Sequence, residues 1–163
     1  VDSSKGILSS HLHSEGKHAE ELSLIGPSTN RWVPEILKAN DPEDISYYPY
    51  MNGQMVFKNA VVRFEQVILE GLKKNNLSPE DIDLLIPHQA NLRISQFVQR
   101  KFGLKDDQVY NNIEKYGNTT AGTIPLCLWD FEKKLKKGDN LILSAFGGGF
   151  TWGSVYLKWS YNS

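Results

Sequence analysis

Two short polar motifs hold the residues best suited to chemistry, Pro87-His88-Gln89-Ala90-Asn91 and Gly117-Asn118-Thr119-Thr120-Ala121-Gly122. One carries an imidazole and the other a carboxamide, and both groups can donate a hydrogen bond to a carbonyl oxygen. Each motif falls where a strand or loop gives way to a helix. The positive helix end disfavours imidazolium, which keeps His88 neutral with one N–H to donate. Two neutral donors converging on one oxygen stabilise charge that develops only in a transition state, as in an oxyanion or enolate site. A third motif, Gly147-Gly148-Gly149, lets the backbone approach a ligand and turn its N–H groups inward, a second oxyanion site. Each motif alone has an ordinary structural reading: a satisfied histidine, a turn pair, a hairpin. Their occurrence together, each at an element junction, favours a site.

The nucleophile that would complete such a site is not evident. Cys127 is the only cysteine, and it lies inside the apolar segment Ile124-Pro125-Leu126-Cys127-Leu128-Trp129, where a buried thiol is inert. There is no Gly-x-Ser-x-Gly elbow and no Walker motif. His11 and His13 alternate like same-face strand positions, but no cysteine or clear fourth ligand accompanies them. They are read as loop histidines rather than a zinc site.

The elements that must position these groups follow from periodicity. Apolar residues recur at three- and four-residue steps from Phe57 through Ala60, Val61, Phe64, Val67, Ile68 and Leu72, predicting a helix over 57–74. Ser78-Pro79-Glu80-Asp81 reads as a cap, a first-position proline and an acidic first turn. Ile82-Asp83-Leu84-Leu85-Ile86 suits a buried strand closed by Pro87. Asn91 can cap a helix to about Phe102, with Arg93 and Arg100 on one face and Lys101 beside them. A further helix is expected over 123–137, then a strand at 141–146 and a last strand around Val155, Leu157 and Trp159. Residues 7–25 read as two strands joined by a loop, and 26–50, rich in Pro, Asn and Asp with Trp32 and Tyr47, as a long loop. Strands alternating with helices, then a hairpin, predict a layered α/β fold.

With 163 residues, 40% of them hydrophobic, the chain can close one sizeable core. A formal net charge of -1 gives no global field for nucleic acid or an anionic membrane. One cysteine permits no internal disulfide, which fits a reducing, cytoplasmic setting. No apolar run is long enough to span a bilayer, and the start, Val1-Asp2-Ser3-Ser4-Lys5-Gly6, has no signal-peptide core and reads like a boundary cut into something longer.

The motifs resemble a known family. Ile86-Pro87-His88-Gln89-Ala90-Asn91-Leu92-Arg93-Ile94 is similar to the histidine motif of β-ketoacyl-acyl carrier protein synthase III. Residues Tyr116 to Leu126 are similar to its asparagine motif, and Ala145 to Ser154 to its C-terminal glycine-rich motif. Met51-Asn52-Gly53-Gln54-Met55-Val56-Phe57-Lys58 resembles the start of its second-half core helix. The order matches, and the similarity covers essentially the whole chain.

The resemblance implies a thiolase-like α/β fold of two similar halves, with this chain as the C-terminal half, a mixed β-sheet layered with helices. Residues 1–50 would be the tail of the N-terminal half plus a connecting loop, and 51–163 the C-terminal domain. In the family, a cysteine of the N-terminal half takes an acyl group from acyl-CoA. Malonyl-acyl carrier protein then loses CO₂, and its carbanion attacks the acyl-enzyme. This decarboxylative Claisen condensation begins fatty acid biosynthesis. That cysteine is absent here, so the chain alone is expected to be inactive. By resemblance, His88 and Asn118 bind the malonyl thioester oxygen, and the backbone at Gly148 holds the acyl oxyanion. Gly53, Gln54, Phe57, Ala90, Asn91 and Arg93 would line the pantetheine channel and CoA entrance. Lys58, Arg93, Arg100 and Lys101 would dock the acidic carrier protein. The implied partners are acyl carrier protein, the missing half and, for the full enzyme, a second copy. No metal or cofactor is implied beyond CoA thioester and phosphopantetheine as substrates. The stripe Phe57, Val61, Phe64, Ile68 and the helix around Leu126 and Trp129 would be the surface the missing half covers. Two alternatives remain: a ketosynthase of polyketide or quinolone type, and a non-catalytic module that binds carrier protein.

Overall fold

The computed structural model describes residues 4–24 and 48–162. Most of the loop expected over 26–50, with Trp32 and Tyr47, lies outside the described residues. The central sheet contains β1 (Gly6–Ser14), β4 (Leu84–Pro87), β5 (Asn140–Gly147) and β6 (Thr151–Lys158), in the order β1-β6-β5-β4. β6 is antiparallel to both β1 and β5, whereas β4 is parallel to β5. The parallel pair needs a crossover connection, supplied by α2 (Leu92–Phe102), the one-turn α3 (Ile113–Tyr116) and α4 (Thr123–Phe131). A two-stranded ribbon joins β2 (Leu22–Ser23) to β3 (Tyr50–Met51), and the long helix α1 (Gly53–Lys74) follows it. The sheet is mixed and layered with helices, as the sequence predicts.

β1 pairs with β6 from Gly6↔Lys158 to Ser14↔Thr151 and forms an edge of the central sheet.

Capping chemistry sets the helix limits. Asn52 accepts from the Met55 N–H at 3.2 Å to open α1, and Lys73 and Lys74 close it against the negative helix end. Asn91 accepts from the Arg93 N–H at 2.9 Å to open α2, and Gly103 at φ 64° ends it in the left-handed region. Ser78 and Asp81 form a capping box on a single 3₁₀ turn, Pro79–Asp81.

Strand side chains alternate faces, and the two faces of the sheet build separate cores. Ile142, Phe146, Trp152 and Tyr156 pack beneath α1 and α2 against Phe64, Val67, Ile68 and Val98. Leu141, Leu84 and Ile86, with Leu143 and Leu157 at their edge, pack against Cys127, Leu128 and Phe131 on the α4 side. α1 lies close to the sheet, with Ser154 Oγ donating to the Val67 carbonyl at 2.8 Å.

The second face is only partly covered. Leu12 is 78% exposed, Ile7 71% and Trp129 on α4 74%. This corrects the expected inter-half surface. Phe64 and Ile68 are buried in the chain's own core, because the stripe of α1 is what closes the first face. Among the described residues, the opposite sheet face at Leu12 and Ile7, and Trp129 on α4, are the most exposed apolar positions.

Candidate active site

A groove of about 1410 Å³ opens along the C-terminal ends of β4 and β5 and the start of α1. His88 follows directly from β4, whose pairing with β5 the His88 N–H extends by donating to the Ser144 carbonyl at 2.7 Å. Asn118 sits on the turn between α3 and α4. Gly148 is on the hairpin between β5 and β6. All three line the groove, although 30 residues separate each from the next in sequence.

The geometry leaves one end of each polar side chain free. His88 Nδ1 lies 2.6 Å from Thr123 Oγ1, so Nε2 is the ring nitrogen left for a ligand. A ring with its proton on Nε2 must accept at Nδ1, and the Thr123 hydroxyl can supply that proton. Asn118 Oδ1 accepts from the Thr120 N–H at 3.0 Å, and among the described residues the Nδ2 donor is unengaged. Thr123, at the first position of α4, is 2% exposed, and its one hydroxyl proton is within reach of both the Thr120 carbonyl, at 3.1 Å, and His88 Nδ1; given to the carbonyl it makes Nδ1 the ring donor, and given to Nδ1 it leaves the ring proton on Nε2. The sequence reading missed it, because a threonine inside the asparagine motif signals nothing until the helix start is placed beneath His88.

Burial pushes the His88 ring below its ordinary value, so it is neutral at pH 7. The unfolded chain, titrating near ~6.5, takes up this proton first as pH falls. Stability from His88 therefore rises with pH in the window just below that value and is flat above it. A proton titration of the His88 ring is expected to show its midpoint below ~6.5; a midpoint above it would contradict the buried neutral ring.

Gly148 must be glycine, since a Cβ there would meet the Leu22 carbonyl oxygen at 2.8 Å. The Gly148 carbonyl accepts from the Thr151 hydroxyl at 2.9 Å. The hairpin is tied to the end of β1 by paired backbone bonds between Glu15 and Phe150, 2.7 and 2.9 Å long. Gly53, Phe57, Ala90, Asn91 and Arg93 also line the groove, whereas Gln54, exposed in the first turn of α1, does not. Lys58, Arg93, Arg100 and Lys101 are exposed, and Lys101 pairs with Glu65 of α1 at 3.2 Å. His11 and His13, both on β1, bracket Glu70 at 3.2 and 2.6 Å, and His13 also lines the groove. Among the described residues, no group of three or more His, Cys, Asp or Glu side chains is placed to hold a metal. Cys127 is wholly buried, and burial pushes its thiol up to about 12.

Solved structures share this architecture. A 3-oxoacyl-[acyl-carrier-protein] synthase III from Aquifex aeolicus superposes with a TM-score of 0.81 at 35% identity, over 98% of this chain and 46% of that one. The Thermus thermophilus enzyme gives 0.84 at 36% identity, over 98% and 48%. The fold is thus thiolase-like. Residues 72–159 match the family model described as 3-oxoacyl-[acyl-carrier-protein (ACP)] synthase III C terminal, and the chain belongs to that family. A β-ketoacyl-[acyl-carrier-protein] synthase III of Porphyromonas gingivalis is 44% identical over 96% of this chain and 46% of its own length. One from Bacteroides thetaiotaomicron is 53% identical over 71% and 35%. The chain spans about half or less of the length of these relatives. Among the described residues, no helix is long and apolar enough to cross a membrane.

Proposed function

We propose that this chain is the enolate-stabilising half of a condensing acyltransferase that joins an acyl group to malonyl-acyl carrier protein. The reading is carried by His88 Nε2 and Asn118 Nδ2, two groups that no described residue engages, on one groove; with the Thr123 proton given to His88 Nδ1, both are donors. The malonyl thioester would enter past Arg93 and Ala90 and set its carbonyl oxygen between these donors. As the bond to the carboxylate breaks, its electron pair moves into the enolate, CO₂ leaves, and both N–H groups hold the new charge. The enolate carbon then attacks an acyl thioester carried on a cysteine. The Gly148 backbone would bind the oxyanion of that acyl group.

The nucleophile must come from elsewhere, because the Cys127 thiol is buried and stays protonated at neutral pH. The partner is a cysteine-bearing half of the same fold, seated on the open sheet face around Leu12 and Trp129. Exposed Arg93 and Arg100, one pair of turns apart on α2, would meet the acidic carrier protein, and the complete enzyme would be a dimer. Lys101 would contribute less, since Glu65 already neutralises it.

Reconstitution tests this reading. Mixed with the N-terminal half of a relative such as the Porphyromonas gingivalis protein, the chain should condense acyl-CoA with malonyl-carrier protein, and alone it should not. Arg93→Glu and Arg100→Glu should raise KM for the carrier protein and flatten its salt dependence, since rim charges act mainly on association. A mixture that binds carrier protein yet never decarboxylates malonyl would favour a non-catalytic binding module.

A further inference from the structure

A polar network lies outside the lining of the groove, with buried Gln89 and Asn112 at its inner end and Lys115, 57% exposed, at its outer end. The carboxylate of Asp130 on α4 is at its centre, with a side chain 10% exposed. Its Oδ2 accepts from Asn112 Nδ2 at 3.1 Å, and its Oδ1 accepts from Lys115 Nζ at 3.0 Å and from the Tyr116 hydroxyl at 3.1 Å. Asn112 stands immediately before α3, and Tyr116 is its last residue. One carboxylate therefore grips both ends of the short helix. Only Gly117, at φ 67°, separates Tyr116 from Asn118.

The network also reaches the histidine. Gln89, next to His88 and 2% exposed, accepts from the Asn112 N–H at 3.1 Å and donates to the Pro87 carbonyl at 2.6 Å. Asn112, 3% exposed, accepts at Oδ1 from the Cys127 thiol at 3.0 Å. Pro87, Gln89, Asn112, Tyr116 and Asp130 thus form one hydrogen-bonded path from the His88 turn to the Asn118 turn. A free one-turn helix has no stability of its own; α3 is held by its contacts, among them the bonds of Asn112 and Tyr116 to the Asp130 carboxylate and of Asn112 to Gln89.

We propose that Asp130 is a positioning residue that sets the separation of His88 and Asn118, acting through Asn112 and Tyr116 on α3 and through Gln89. The proposal rests on the enolate-site reading for its consequence in catalysis, but its structural content can be read without activity. The hydrogen bonds from Asn112 and Lys115 hold the Asp130 carboxyl below the usual carboxylate range, so the anchor is ionised at neutral pH. Charge-assisted bonds of this kind are the strong ones, and a buried network acts as a unit.

The test uses the ¹⁵N-labelled 163-residue chain and Asp130→Asn. The Gly117 N–H, the Asn118 side-chain amide and the Gln89 amide should shift together, with α1 signals such as Ala60 unmoved. Tyr116→Phe should move the Gly117 and Asn118 signals in the same direction by less and leave Gln89 in place. With a cysteine-bearing half added, Asp130→Asn should lower kcat for malonyl decarboxylation about tenfold at unchanged KM, since small misplacements of a positioned group are costly. Unmoved Gly117 and Asn118 signals in Asp130→Asn overturn the proposal. Moved signals with an unchanged rate uphold the coupling and remove Asn118 from catalysis. Should Asp130→Asn fail to fold, Tyr116→Phe and Lys115→Met carry the test, and signals unmoved in both overturn it.

Discussion

Replacing His88 or Asn118 by alanine is expected to slow malonyl decarboxylation about a hundredfold or more in the reconstituted enzyme, the usual worth of one oxyanion donor. The expectation follows from how the two side chains are held. His88 Nδ1 is engaged by Thr123 and Asn118 Oδ1 by the Thr120 N–H, so each variant removes a donor already aimed and replaces it with nothing. His88→Ala also leaves a cavity beside a buried hydroxyl, which makes Asn118→Ala the cleaner probe, since Asn118 is exposed. Acyl transfer to the cysteine should suffer far less, because that step uses the Gly148 backbone. The two half-reactions are separable with acyl-CoA alone and malonyl-carrier protein alone. If both slow equally in Asn118→Ala, the residue shapes the turn and does not stabilise the enolate.

Leu12→Arg is expected to abolish both self-association of the chain and reconstitution with a cysteine-bearing half. Leu12 is 78% exposed on a sheet face that also carries Ile7, and Trp129 on α4 is 74% exposed. Soluble monomers rarely leave large apolar surfaces bare. Burying one leucine is worth ~2 kcal/mol, about thirtyfold in association, before the cost of the buried charge is added. The chain's own stability should hardly change, because Leu12 contributes nothing to either core. Sedimentation of wild type and variant at micromolar concentration, with a melt of each, reads both effects. A wild-type chain that sediments as a monomer and binds no hydrophobic dye would show that this face needs no partner.

Much of the fold is legible in the residues. α1 was readable because Ala60, Phe64, Val67, Ile68 and Leu72 repeat at helical spacing, and all are buried. It begins earlier than the stripe, at Gly53, because Asn52 caps it before the apolar period starts. α4 ends at Phe131 rather than near residue 137, and Glu132–Lys134 continues as a 3₁₀ turn. The lysine-rich stretch is helix-compatible in itself, but Leu135 must turn in to join the core at 3% exposure. β1 was readable as a strand, yet its place in the same sheet as β6 was not, since pairing over more than a hundred residues leaves no local mark.

The candidate site divides in the same way. Local sequence determined which groups are available: an imidazole and a carboxamide beside helix starts, a glycine hairpin, and a lone cysteine in an apolar segment. Each of these follows from a few neighbouring residues. Only the tertiary structure decided that the three motifs share one groove, that Thr123 meets His88 Nδ1 while Asn118 Oδ1 accepts from the Thr120 N–H, and that the Asp130 carboxylate accepts from Asn112 and Tyr116. It also decided which apolar face is spent. Both α1 and the sheet carry enough hydrophobic surface to cover something else, and periodicity cannot tell which surfaces meet. α1, which precedes β4, and α2 of the β4–β5 crossover lie on one face, and the short α4 packs on the other. Among the described residues the sheet face around Leu12 is left open by that arrangement, a property of how layers stack and of no single stretch of chain.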